Sequence, residues 1–357
     1  MVHVSRRWAL VTTLGLALGA AGCSAVGTGS DDPSAAGTVT LVTHDSFGVP
    51  DDVLAQFTAQ TGLKVRVVAT GDAGSMVNQL VLTKGAPLGD AVFGIDSTFA
   101  TRALDEGVIA PVSGLTAPAL ADAKAHALPG DDDGRLVAVD FGDVCVNVDT
   151  TWFADHDLTP PATLDDLTAP QYRGLFVTPS PVTSSPGFAF LLATVAAKGD
   201  GWQQYWKDLG ANGVQVAADW SDAYYSAFTQ GGGNGDRPVV LSYDTSPPYT
   251  VPDGPDAEPT TAALLDTCFR QTEYAGVLTG AKNPDGAAAL VDFLLSDAVQ
   301  QTVPETMYMY PVSTSVTLPP DWVAWAPLAT EPFTVSPADI TAHREQWLTQ
   351  WADLGVG

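Results

Sequence analysis

Apolar positions along residues 38–355 follow two alternating spacings, and the alternation predicts the element order. Thr38 to Thr43 is a β-branched run that reads as a strand. Asp51 to Thr61 places Val53, Leu54 and Phe57 at helical spacing and stops at Gly62, and Leu63 to Ala69 returns to strand. A helix over 74–83, a strand over 91–95 and a helix over 97–106 ending at Gly107 repeat the unit. Strands alternating with helices of this length predict an α/β chain with a parallel or mixed sheet covered on both faces. No period of 20–50 residues recurs, which excludes a solenoid.

The second half repeats the alternation with longer strands. Val137 to Val148 reads as one strand interrupted at Gly142, and Leu264 to Leu278 as another. Pro160-Pro161 predicts a turn into a helix capped by Thr163, with Asp166 three residues on. Helices are predicted over 187–197, 201–209 and 285–302, the last with apolar Leu290, Phe293 and Leu294. Ser336-Pro337 opens a final helix with a serine cap and a proline in the first turn. The two long strands suit crossovers between two lobes, with a cleft at their junction.

One stretch fits packing less simply. Asp219-Trp220-Ser221-Asp222-Ala223-Tyr224-Tyr225 starts a helix with aromatics. After a glycine-rich surface loop at 231–235, the strand from Val239 runs through Tyr243 into Ser246-Pro247-Pro248-Tyr249. A turn presenting rings and hydroxyls at a strand end is typical of a ligand pocket.

Composition narrows the class. The 357 residues are 45% hydrophobic, enough for about two packed domains. With 15 Lys and Arg against 41 Asp and Glu, the net charge of −26 repels nucleic acid and anionic membranes and favours a cationic ligand. The five histidines, 3, 44, 126, 156 and 343, have no pair at helical metal spacing, and no nucleophile elbow, P-loop or dinucleotide fingerprint is present. No metal or cofactor is implied.

The first residues place the chain outside the cytoplasm. Ser5-Arg6-Arg7 and the apolar run from Trp8 to Ala21 form an export signal, since about 14 residues are too few to span a bilayer. Leu18-Gly19-Ala20-Ala21-Gly22-Cys23 looks like a lipobox, which predicts a signal peptide over 1–22, lipidation of Cys23 and a flexible tether over 23–37. The mature protein is then held to the outer face of the cell membrane. The signal takes Arg6 and Arg7 with it, so its loss moves the net charge from −26 to −28. Sec and twin-arginine export both fit. In that oxidising compartment the remaining Cys145 and Cys268 predict a disulfide between two strands, the alternative being two buried thiols.

Six blocks in order resemble the periplasmic thiamine-binding proteins of ABC importers: 42–47, 92–96, 183–187, 219–224, 241–249 and Met309-Tyr310-Pro311-Val312. The resemblance covers about residues 38–355. It implies a type II periplasmic-binding-protein fold, two α/β lobes joined by crossover strands. Lobe 1 is then 38–140 with 275–357, and lobe 2 is 141–274.

The resemblance also implies a ligand and a site. Thiamine joins a cationic thiazolium to an aminopyrimidine, and aromatic faces attract such a cation by about 0.5–2 kcal/mol each when desolvated. Trp220, Tyr243 and Tyr249 match the family's pocket aromatics, and Asp72 matches an acidic residue near the ligand. Ser184 and Asp96 sit at helix starts, where they hold ligand oxygen or simply cap. His44 stands where relatives often have tyrosine and Tyr308 where they have tryptophan. Asp143 replaces a tyrosine and favours a cation if it faces the cleft. Val182 stands where some relatives carry arginine, which argues against phosphate esters of thiamine. The expected function is a monomeric, lipid-anchored binding protein that delivers thiamine to an ABC permease and its ATPase. A binder of another organic cation such as a polyamine on the same fold, or a secreted carbohydrate-active enzyme, is the alternative.

Overall fold

The β-branched runs near the start form three strands: β1 (Thr38–Thr43), β2 (Lys64–Ala69) and β3 (Ala91–Asp96). In the computed structural model, which describes residues 37–254 and 257–356, β1 pairs parallel with both β2 and β3. The signal peptide, Cys23 and the tether predicted over 1–37 lie outside the described residues, except for Gly37. Helix α1 (Asp51–Thr61) buries Val53, Leu54 and Phe57 and ends at Gly62, whose φ of +75° provides the left-handed cap. Helix α2 (Ala73–Leu82) leads into β3. The next helix, α3 (Ala100–Asp105), starts later than expected, because Asp96 accepts the Thr98 N–H and hydroxyl and turns the chain first.

After β4 (Ile109–Ala110) and α4 (Leu120–Ala125), strand β5 (Val137–Asp149) runs straight through Gly142. The expected interruption there is absent; irregular register falls instead between Ala138 and Asp140 and between Val144 and Val146. Helix α5 (Thr150–Asp155) follows, with the Asp149 side chain capping it. The helix expected after Thr163 is only a 3₁₀ turn, Asp166–Thr168. Asp166 does accept the Thr163 N–H and hydroxyl, but Pro170 holds Ala169 extended and stops propagation.

Strand β6 (Phe176–Pro179), helices α6 (Ser185–Lys198) and α7 (Trp202–Ala211), and strands β7 (Gln215–Ala217) and β8 (Val239–Tyr243) build the far half of the sheet. Strand β9 (Thr261–Leu278) begins three residues earlier than expected. The helix predicted over 285–302 is broken into α8 (Pro284–Leu294) and α9 (Asp297–Gln300), with Ser296 extended between them. Then come α10 (Val303–Thr306), β10 (Tyr310–Pro311), α11 (Pro320–Trp325) and α12 (Pro337–Asp353).

The sheet order is β2-β1-β3-β9-β5-β8-β6-β7, with β4 on β9 and β10 on β5. Strands β9 and β5 are antiparallel partners along most of their length. On their outer sides, β9 pairs with β3 and β5 pairs with β8. The central pair therefore carries both halves of the sheet. A disulfide joins Cys145 to Cys268 across it.

Candidate functional site

A cavity of about 360 Å³ opens where the strand ends of both halves face each other. His44 enters it from the residue after β1. The Ser46 N–H donates to Nδ1 at 3.1 Å, which puts the proton of the neutral ring on Nε2, 3.4 Å from Oε2 of Glu273 on β9. Gly94 makes room for the ring, since a Cβ there would lie 2.0 Å from His44 Cδ2, and its φ of +91° also favours glycine.

The aromatic side of the cavity comes from the stretch after β7. Residues Asp222–Ala227 wind as a π-helical turn rather than the expected α-helix start, with the Phe228 N–H reaching Ala223 O five residues back. The turn stacks Tyr224 on Trp220 at 5.1 Å and 20°, and sets Tyr225 edge-on at 5.4 Å. Trp220 Nε1 donates to Ser242 Oγ at 3.1 Å, and Ser242 lies 2.8 Å from Ser246 Oγ. The indole is thereby held from β8 and from the turn that follows it. Tyr249 meets Tyr308 edge-on at 5.3 Å. Tyr308 has a φ of +53°, a left-handed conformation costing a non-glycine residue about 1–2 kcal/mol, and its carbonyl accepts the Thr245 hydroxyl at 2.5 Å.

The lining is acidic and carries no Lys or Arg: Asp45, Asp72, Asp219 and Glu273 all face it. Burial pushes the Asp72 carboxyl above the usual range, opposed by hydrogen bonds from the Ser185 N–H, the Ser184 side chain and the Trp220 N–H. Burial depresses His44, but the Glu273 carboxylate, with Asp72 and Asp96 adding, outweighs it and leaves the imidazole above its ordinary value. Burial and the same carboxylates keep the Tyr243 phenol neutral. Flat rings and carboxyl groups in one lining, with hydroxyls from Ser46, Ser185, Thr245 and Ser246, suit a ringed organic cation with hydrogen-bonding edges.

Of the residues singled out from sequence, Trp220, Tyr243, Tyr249, Asp72, His44 and Tyr308 line this cavity, and Ser184, Asp96 and Asp143 do not. Ser184 is buried as the cap of α6, accepting the Gly187 N–H, while its neighbour Ser185 takes the lining position. Asp96 is fully buried in its turn with Thr98. Asp143 does not face the cleft: its buried carboxylate is paired with Arg270 and accepts the Ala329 N–H at 3.0 Å. Val182 is exposed outside the lining. Sequence reasoning missed Glu273, although it is the lone carboxylate in the strand-like run 267–278. Ser185 was missed as well, because a serine cap at 184 is the stronger local pattern. Among the described residues no group of three or more His, Cys, Asp or Glu is arranged to hold a metal ion.

Comparison with known proteins agrees with this architecture. The thiamine-binding periplasmic protein of Escherichia coli (strain K12) is 29% identical over 318 residues, covering 88% of this chain and 92% of its own. That of Brucella suis biovar 1 is 30% identical over 321 residues, covering 88% and 91%. A solved periplasmic thiamin binding protein superposes with a TM-score of 0.76 at 28% identity, over 89% of this chain and 96% of its own. Iron-bound HitA from Pseudomonas aeruginosa, at 20% identity and a TM-score of 0.67 over 89% and 99%, shares the fold alone. Residues 52–330 match the bacterial extracellular solute-binding proteins, and the chain belongs to that family, with its type II fold of a mixed sheet flanked by helices.

Proposed function

We propose that this protein is the substrate-binding component of an ABC importer and that it captures thiamine outside the membrane. The observation that carries the reading is the cavity itself, lined by aromatic rings and carboxyl groups together, with no Lys or Arg. A thiazolium gains from both, and the hydroxyls serve the aminopyrimidine edge and the hydroxyethyl tail. The similarity to the thiamine-binding periplasmic proteins supports the same ligand.

Lobe 1 (38–140 with 275–357) and lobe 2 (141–274) close around the ligand by bending at β5 and β9, then hand it to the permease. The protein acts as a monomer, anchored by lipid on Cys23, and catalyses no reaction. A cavity without Lys or Arg, and Val182 where some relatives carry arginine, favour free thiamine over its phosphate esters.

Calorimetric titration of residues 24–357 with thiamine, its mono- and diphosphate, and spermidine tests this. Saturable thiamine binding at micromolar concentration, tighter than for the esters, is expected. Saturation by spermidine alone moves the assignment to a polyamine, and no saturation by any of the four removes the organic-cation reading.

A further inference from the structure

Glu273 in the lining belongs to a cluster of titratable side chains. His44 Nε2 lies 3.4 Å from Glu273 Oε2, and Glu273 is the register partner of the fully buried Asp140 on β5 and of the fully buried Asp96 on β3. Asp72 at the cap of α2 and Asp96 at the end of β3 act on the same imidazole, and Tyr243 at the end of β8 senses all four carboxyl groups. Glu273 lines the cavity and Asp140 does not. A ligand therefore meets Glu273 with His44 beside it in the lining and Asp140 behind.

We propose that Glu273 is the cavity carboxylate that a bound organic cation neutralises, and that the His44–Glu273–Asp140 cluster gives up a proton as the cation arrives. This rests on the organic-cation reading above. A cation against Glu273 takes away the charge that favours a proton on either neighbour. Burial and the Glu273 charge push Asp140 well above the carboxylate range. The Ser46 N–H on Nδ1 opposes a second proton on His44, so the proton lost belongs to the coupled cluster rather than to one side chain. Reciprocity then requires that a proton weaken cation binding by the factor by which the cation weakens the proton.

Calorimetry of thiamine binding to the purified mature protein, in buffers of different ionisation enthalpy at about pH 6 and about pH 8, counts the protons. The expected result is release of a sizeable fraction of a proton, with affinity rising toward about tenfold per pH unit as the limit for one proton. Glu273→Gln and the double variant His44→Gln with Asp140→Asn both lose the release, whatever their affinity, and melting of the ligand-free variants reports whether they fold. Binding with buffer-independent heats and a flat pH profile overturns the proposal and leaves thiamine as ligand. The same proton count in both variants also overturns it. Absence of any saturable thiamine heat overturns this proposal and the ligand reading together.

Discussion

The carboxylate of Asp72 accepts the backbone N–H of Trp220 at 3.3 Å through one oxygen and that of Ser185 at 2.9 Å through the other. One side chain at the cap of α2 thus ties together the start of α6 and the aromatic stretch. Close approach at this seam is built into the sequence, since a Cβ on Gly74 would lie 2.7 Å from Thr183 O. Hydrogen bonds to a charged group contribute about 1.5–3 kcal/mol each, so Asp72→Ala is expected to weaken thiamine binding more than tenfold. Asp72→Asn keeps an acceptor and should fall between that variant and wild type; equal affinities of all three in calorimetry would discount the tie.

Trp220 packs on Tyr224 and is aimed by Ser242 from β8. Trp220→Ala is expected to cost at least about 1.4 kcal/mol of binding, a tenfold loss, while the melting temperature stays within a few degrees because the residue is only partly buried. Unchanged affinity would make Trp220 a packing residue.

Asp244 makes stability depend on pH in a direction that can be worked out. Burial, with the adjacent Asp143 charge, pushes its carboxyl up to about 8. The folded state keeps a proton that the unfolded chain loses above about pH 4, so this contribution is fully present below that pH and is lost as pH rises through about 8. Asp244→Asn is neutral throughout. Its melting temperature should gain on that of wild type between about pH 5 and about pH 9, and a constant difference would assign the proton elsewhere.

The disulfide closes a sequence separation of 123 residues and crosses the central strand pair. In the chain-entropy account a loop of that size is worth about 4–5 kcal/mol. The double variant Cys145→Ala with Cys268→Ala is therefore expected to unfold at clearly lower denaturant, and reduction of wild type should reproduce much of the loss. Equal midpoints would mean that the register holds without the bridge.

Legibility followed how far periodicity alone decides an element. The strand over 38–43, the helix ended by Gly62, the serine-capped last helix and the aromatic turn through Tyr249 are set by neighbours a few residues apart, and periodicity shows them. Boundaries failed where a competing turn or a single extended residue interrupted an apolar period that would otherwise continue. Asp96 turning on Thr98 delayed α3, and Ser296 taking an extended backbone split the helix expected over 285–302.

The sequence by itself determined the alternation of strands and helices, the acidic charge, and the rings at Trp220, Tyr249 and Tyr308 that line the cavity. Local spacing and composition are properties of the chain before it folds. Tertiary structure alone decided what each carboxyl group does. Asp143 and Glu273 are both acidic residues on long central strands, and lying on such a strand does not tell which partner each meets. Asp143 meets Arg270 and is spent in a buried pair, whereas Glu273 faces the cavity between His44 and Asp140. The strand pairing of β5 with β9, contacts more than a hundred residues apart, makes that difference.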